Sequence, residues 1–158
     1  MSKAVRIYQT GGPEVMQVEE VELGPPGPGM VRVANRAIGL NFIDTYHRSG
    51  LYPLPLPSGL GMEGAGVVEA CGEGVELAEG DRVAYCSAGI GAYASAINLP
   101  ESRLVRLSEP VGFDTAAAMM LKGMTVRYLL RETYEVQPGD TILWHAAAGG
   151  VGLIACQW

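Results

Sequence analysis

The residues best placed to do chemistry lie near the end of the chain. Thr141-Ile142-Leu143-Trp144-His145-Ala146 is a short apolar run with the look of a buried parallel strand. Ala147-Ala148-Gly149-Gly150-Val151-Gly152 follows at once, and Leu153–Trp158 then reads as the opening turns of a helix. The spacing is Ala147-x-Gly149-x-x-Gly152, with alanine where a nucleotide-binding turn usually has its first glycine. Glycines there let the backbone bend tightly and approach a pyrophosphate, and the helix start offers it free N–H groups. The alternative is a tight strand-to-helix connection with no ligand. The residue that would select the ribose falls about 20 residues further on, beyond Trp158, so the motif is half of a site.

Other candidates carry less pattern. Tyr46 and Tyr52 flank a polar stretch, and tyrosines can stack on a planar ring while donating a hydrogen bond. Packing at a domain edge would use the same residues. Asp44 either orients its neighbours or caps a turn over Phe42–Arg48. His47 falls in the loop after Asp44 with no partner at a useful spacing. His145 ends the apolar run, where bonding to backbone explains it. No Ser/His/Asp or Cys/His constellation is visible, and neither CxxC nor HExxH occurs. Cys71, Cys86 and Cys156 are few, odd in number and far apart, as free thiols of a reducing compartment would be. Cys71 follows small apolar residues and reads as an inert buried thiol.

The elements that must position these residues change character along the chain. Short strands are predicted over Lys3–Tyr8, Met16–Leu23, Met30–Ile38, Gly64–Glu69, Asp81–Tyr85 and Tyr93–Leu99. Gly11-Gly12-Pro13, Gly24-Pro25-Pro26-Gly27-Pro28-Gly29 and the proline-rich Leu51–Gly61 interrupt them. Glu19, Glu20 and Glu22 mark a solvated strand face. This much turn-punctuated β predicts a barrel-like sheet. Near Phe113 the pattern turns helical. One helix opens at Asp114–Met120 with Asp114 or Thr115 as cap, and a second covers Thr125–Glu135. Lys122 and Thr125 stand at the start of that second helix, where Thr125 serves as a cap.

The chain has 158 residues, 48% of them apolar and 18% charged, which excludes a disordered chain. Twenty-two glycines and ten prolines suit a turn-rich β fold better than a helical bundle. A net charge of −6 repels phosphate backbones and argues against nucleic acid as a partner. No apolar run reaches the length of a membrane span, and Met1–Thr10 does not resemble a signal peptide. The last helix stops without glycine, proline or a polar cap, which predicts that the sequence is the front part of a longer protein.

Several long strings carry a family resemblance. They are Gly11-Gly12-Pro13-Glu14-Val15, Ala37–Tyr52 (AIGLNFIDTYHRSGLY), Pro57–Gly72 (PSGLGMEGAGVVEACG), Gly80-Asp81-Arg82-Val83, Leu121–Leu130 (LKGMTVRYLL) and His145–Trp158 (HAAAGGVGLIACQW). They resemble the medium-chain dehydrogenase/reductase superfamily, and within it the zinc-independent NADPH:quinone oxidoreductases related to ζ-crystallin. The resemblance implies a mixed β and α/β fold. A GroES-like β-barrel catalytic domain would occupy residues 1–124, and the truncated start of a Rossmann domain residues 125–158.

Zinc-dependent members of that superfamily place their catalytic ligands in strings that match Gly39–Asp44, Gly61-Met62-Glu63 and Leu121-Lys122-Gly123 here. The ligand positions hold Asn41, Met62 and Lys122, none of which offers a thiolate or imidazole. The resemblance therefore implies a metal-free enzyme. It makes Asn41 a polar contact to nicotinamide or substrate, although a turn residue bonding its own backbone also fits. Glu63 is more simply structural, held by a hydrogen bond. The expected catalytic residues are Asn41, Tyr46 and Tyr52. The expected cofactor contacts are Asn41, Lys122, Thr125, Gly149, Gly150, Val151 and Gly152.

The implied reaction is NADPH-dependent reduction of a quinone or another electrophilic small molecule, with the protein supplying geometry and a dry pocket. An enoyl or alkenal reductase is the rival within the superfamily, and a crystallin-like or RNA-binding role the rival outside it. The whole protein would be a cytoplasmic homodimer, and these 158 residues alone would be inactive.

Overall fold

The computed structural model describes residues 1–158. Eight strands form where the sequence alternates between glycine and proline interruptions. They are β1 (Ser2–Ile7), β2 (Gln17–Val21), β3 (Met30–Gly39), β4 (Ser58–Gly59), β5 (Glu63–Cys71), β6 (Arg82–Cys86), β7 (Ala96–Pro100) and β8 (Leu104–Arg106). The helices are α1 (Phe42–Ser49), α2 (Phe113–Tyr128) and α3 (Gly150–Gln157). The chain divides into two compact units, Met1–Ala118 and Met119–Trp158.

In the first unit the strands make two antiparallel sheets, ordered β2-β1-β4 and β7-β3-β5-β6-β8. They do not close into the expected barrel, although the isolated bridge Ala4–Ala94 links β1 to the segment before β7. The longest pairing runs β3 against β5 from Val31–Cys71 to Gly39–Glu63, with irregularities after Arg32 and Asn35. The core of the larger sheet is Val31, Val33, Val68, Val83, Tyr85 and Leu99, and a second cluster gathers Ile7, Val15 and Leu60. Glu20 of β2 and Glu22 just after it lie on the solvated face expected of them. Glu19 instead turns to Arg6 and Tyr8, and Val18 is 74% exposed.

Two side chains fasten this unit internally. The Asn35 amide donates to the carbonyls of Ala92 (3.2 Å) and Ala94 (2.9 Å) and accepts from the Tyr85 hydroxyl (3.0 Å). The Arg82 guanidinium donates to the carbonyls of Ser108, Glu109 and Val111 and sits 4.7 Å above the Phe113 ring. It thereby fixes the stretch that leads into α2. A planar fork with five donors suits such a cluster of carbonyls.

Burial pushes the Tyr85 phenol from 10.0 up to about 12, with the bond to Asn35 pulling the other way. The unfolded chain loses this proton near pH 10, whereas the folded protein keeps it. Its contribution to stability is therefore complete below pH 10 and disappears as pH rises toward 12. Between those limits the slope from this one group is about 1.4 kcal/mol per pH unit. Tyr85→Phe is expected to flatten the alkaline decline in urea unfolding midpoints; an unchanged slope would assign that decline to other groups.

Three helical expectations are corrected. The segment read as a turn over Phe42–Arg48 is α1, so His47 lies in a helix and is buried. The two helices expected on either side of Lys122 are one, α2, which continues into a π-helical turn over Leu129–Thr133. Gly123 costs the helix about 1 kcal/mol, and the strong helix formers Leu121, Lys122 and Met124 outweigh it. Asp114 lies inside the first turn of α2 rather than capping it.

In the second unit the run Thr141–Ala146 is not a strand, and Leu143 is 87% exposed. A parallel strand needs a neighbour for its N–H and C=O groups, and Met119–Trp158 contains none. His145 is accordingly exposed, not at the end of a buried strand.

Candidate active site

The first constellation is built at the start of α1. Asn41 is its N-cap, with extended backbone (φ −128°, ψ 149°). Asp44, three residues on, returns its carboxylate to the Asn41 N–H at 2.9 Å. Its own N–H donates to the Asn41 carbonyl at 3.0 Å. Gly50 ends the helix in the left-handed region at φ +83°. The sequence Asn-x-x-Asp followed six residues later by glycine is thus a complete start-and-stop signal for a short helix.

From this cap the Asn41 side chain points inward. Its Nδ2 donates to Glu63 Oε2 at 2.6 Å. Asn41 is 6% exposed and Glu63 fully buried. Gly39 makes the approach fit, because a Cβ there would lie 2.4 Å from Glu63 Oε2 and 2.3 Å from the Ala117 carbonyl. The expected structural bond to Glu63 is therefore present, and Asn41 provides it. On the other side Tyr93 donates its hydroxyl to Asp44 Oδ2 at 2.8 Å. Burial, followed by the bond to Asp44, raises the Tyr93 phenol above its ordinary value, so it stays a donor. Asp44 both orients and caps. Cys86, paired across the sheet with Glu63, has its thiol raised by burial and then by that carboxylate, which disfavours a reactive thiolate.

Beside this buried polar chain lies a row of rings. Phe42 and Tyr46 meet edge to face at 5.3 Å, and Tyr46 and Tyr52 are 5.2 Å apart. The Tyr52 N–H donates to the Tyr46 carbonyl at 3.2 Å, which ties the loop after α1 back onto it. Tyr52 remains 47% exposed. Asn41, Tyr46 and Tyr52 therefore sit on one element and its adjoining loop. No group of three or more His, Cys, Asp or Glu side chains converges in a way that could hold a metal ion.

The second constellation lies in the second unit. Gly149 caps α3 and donates its N–H to the Ala146 carbonyl at 2.8 Å. Gly152 is packed so closely that a Cβ would lie 2.5 Å from the Ala146 oxygen and 2.6 Å from the Ala147 backbone. At Gly150 a Cβ would meet the Lys122 stem at 2.9 Å, so the lysine crosses the start of α3. A lysine stem crossing a helix start is compatible with a phosphate-binding turn. Thr125 departs from expectation. It lies within α2 and donates its hydroxyl to the Leu121 carbonyl at 2.8 Å, so it is not a helix cap.

Sequence reasoning passed over two residues of the first constellation. Phe42 becomes visible once α1 is read as a helix, since it stands four residues before Tyr46. Tyr93 carries no spacing signal, because it reaches Asp44 across the fold.

Comparison with known proteins follows the same lines. Residues 27–109 match the alcohol dehydrogenase GroES-like domain. A quinone oxidoreductase of Pseudomonas aeruginosa is 59% identical over the whole chain, which covers 49% of that protein. A 2-haloacrylate reductase of a Burkholderia species is 46% identical over the whole chain and is covered to 50%. The crystal structure of Escherichia coli quinone oxidoreductase complexed with NADPH matches with a TM-score of 0.97 at 52% identity, covering 99% of this chain and 48% of that one. The chain spans about half the length of the curated relatives it matches.

Proposed function

Because the chain belongs to the alcohol dehydrogenase GroES-like domain family, which its residues 27–109 match, we propose that it forms part of a reductase that passes hydride from NADPH to quinones without zinc. The observation that carries the reading is the Asn41 amide, which gives its NH2 to a buried carboxylate; the resemblance matches this position to the metal thiolate of zinc-dependent members. Whole-chain identity to quinone oxidoreductases supports the choice of substrate. We assign residues 1–124 to the catalytic domain and 125–158 to the start of a Rossmann domain.

NADPH supplies the hydride when bound. Gly149, Gly150, Val151 and Gly152 would approach its phosphates through backbone, and Lys122 would pair with them. The close packing at Gly152 and the lysine stem at Gly150 support that assignment. Thr125 would contribute from α2, one turn beyond Lys122. Asn41 fixes the reacting ring by its amide, while Tyr46 and Tyr52 stack on the acceptor and exclude water from it. The free cysteines fit a cytoplasmic protein, and no helix is long and apolar enough to cross a membrane. The reading extends to a homodimer of the whole protein.

The likeness to a 2-haloacrylate reductase favours a second reading, reduction of an activated alkene at the same residues. NADPH oxidation by the whole purified protein, against a panel of benzoquinones and halogenated acrylates with metal content measured in parallel, separates the two. Quinone turnover without bound zinc is the expected result. Turnover confined to acrylates selects the second reading, and activity that tracks stoichiometric zinc overturns both.

A further inference from the structure

The proposed roles do not use Tyr93, and Asp44 enters them only as the cap of α1, yet the two are hydrogen-bonded to each other. Asp44 is buried, and its Oδ2 takes two hydrogen bonds, one from the Asn41 N–H and one from the Tyr93 hydroxyl. Its Oδ1 has no hydrogen-bond partner. A buried carboxylate that spends one oxygen on two donors is held by those donors. Tyr93 is anchored in turn: its N–H donates to the Leu60 carbonyl at 2.9 Å, and its carbonyl accepts from Val5 at 2.8 Å. Gly61 makes room for the ring. It has φ +87°, and a Cβ there would lie 2.3 Å from the Tyr93 ring carbon Cδ1.

These contacts run in series from a rigid sheet to one amide. The strand β1 and Leu60 hold Tyr93, Tyr93 holds Asp44, and Asp44 holds the backbone of Asn41. Glu63 holds the Asn41 side chain from the opposite direction. We propose that Tyr93 is a positioning residue, which fixes the Asn41 amide through Asp44 so that it presents one orientation to the reacting ring. The inference rests on the role given above to Asn41. Loss of the Tyr93 hydroxyl leaves α1 its helix and its aromatic row but loosens the cap on which Asn41 sits. Misplacement by a fraction of an ångström at such a group lowers the rate of the chemical step more than it weakens binding.

The test is steady-state kinetics of the whole enzyme with NADPH and a benzoquinone for Tyr93→Phe, Asn41→Ala and the double variant. Asp44→Asn is carried as a second probe of the same link, and melting temperature is recorded for each. Tyr93→Phe is expected to lower kcat about ten-fold with KM for quinone little changed. Amide hydrogen exchange at Asn41 should quicken. In the Asn41→Ala background the same substitution should have no further effect on kcat. Additive losses in the double variant, or a wild-type kcat for a folded Tyr93→Phe, overturn the inference while leaving the reductase reading in place. Full turnover by Asn41→Ala overturns the role of Asn41 and the inference with it.

Discussion

Gly152→Val is expected to weaken NADPH binding by on the order of 100-fold, because the substituted side chain has only backbone to push against. Its Cβ would fall 2.5 Å from the Ala146 oxygen and 2.6 Å from the Ala147 Cα and oxygen. None of these atoms can rotate away. The turn must open, and the N–H groups at the start of α3 then separate. Gly150→Ala makes the contrast. Its Cβ meets the Lys122 Cδ and Cε, also at short range, but that stem can swing aside. A loss of only a few-fold is expected, from displacement of the lysine. Titration of NADPH by its fluorescence in the whole protein checks both. Equal losses for the two variants would mean that the turn tolerates a Cβ at either place or at neither.

The largest effect on stability is expected at Gly66, in the middle of β5. A Cβ there would sit 2.0 Å from the Ala34 oxygen and 2.9 Å from the Asn35 Cα, both on the backbone of β3. The two strands are the best-paired in the sheet, so relief requires β3 to move away from β5. Gly66→Ala should destabilise by about 3 kcal/mol. Gly24→Ala is the control, since nothing lies within 4 Å of its Cβ. It should change stability by less than about 0.5 kcal/mol. Urea denaturation measures both, and a Gly66→Ala midpoint equal to that of the control would contradict the close approach of β3 and β5.

Local chemistry explains which elements could be read from the sequence. The main strands announce themselves by period-two alternation between glycine and proline breaks, and β1, β3, β5 and β6 lie where that pattern predicts. β8 is three residues long and pairs only with β6, too little for a periodic signal. The Thr141–Ala146 run shows the converse. An apolar run specifies a strand only when another strand completes its hydrogen bonds. The signals for α1 were present in Asn41, Asp44 and Gly50, but eight residues rich in turn formers read equally as a loop. In the site, the Asn41–Glu63 bond was half legible, since both residues stood out separately. Tyr93 was not, because its partner is distant in sequence, and the strand expected from Tyr93 begins only at Ala96.

Asn35 brings chemical ageing into view. Hydrolysis of its amide to a carboxylate barely alters mass or shape, but it replaces an NH2 that now donates to two carbonyl oxygens, those of Ala92 and Ala94. An acid group offers no equivalent pair of donors, and when ionised it would turn negative charge toward both oxygens. The segment so released is the one whose Tyr93 and Ala94 meet β1. A preparation damaged at this one amide would keep its core valines in place but weaken the seam between its two sheets, leaving it to the bonds of Val5 with Tyr93 and of Ser2 and Lys3 with Ser95 and Ala96, a lesion of storage rather than of sequence.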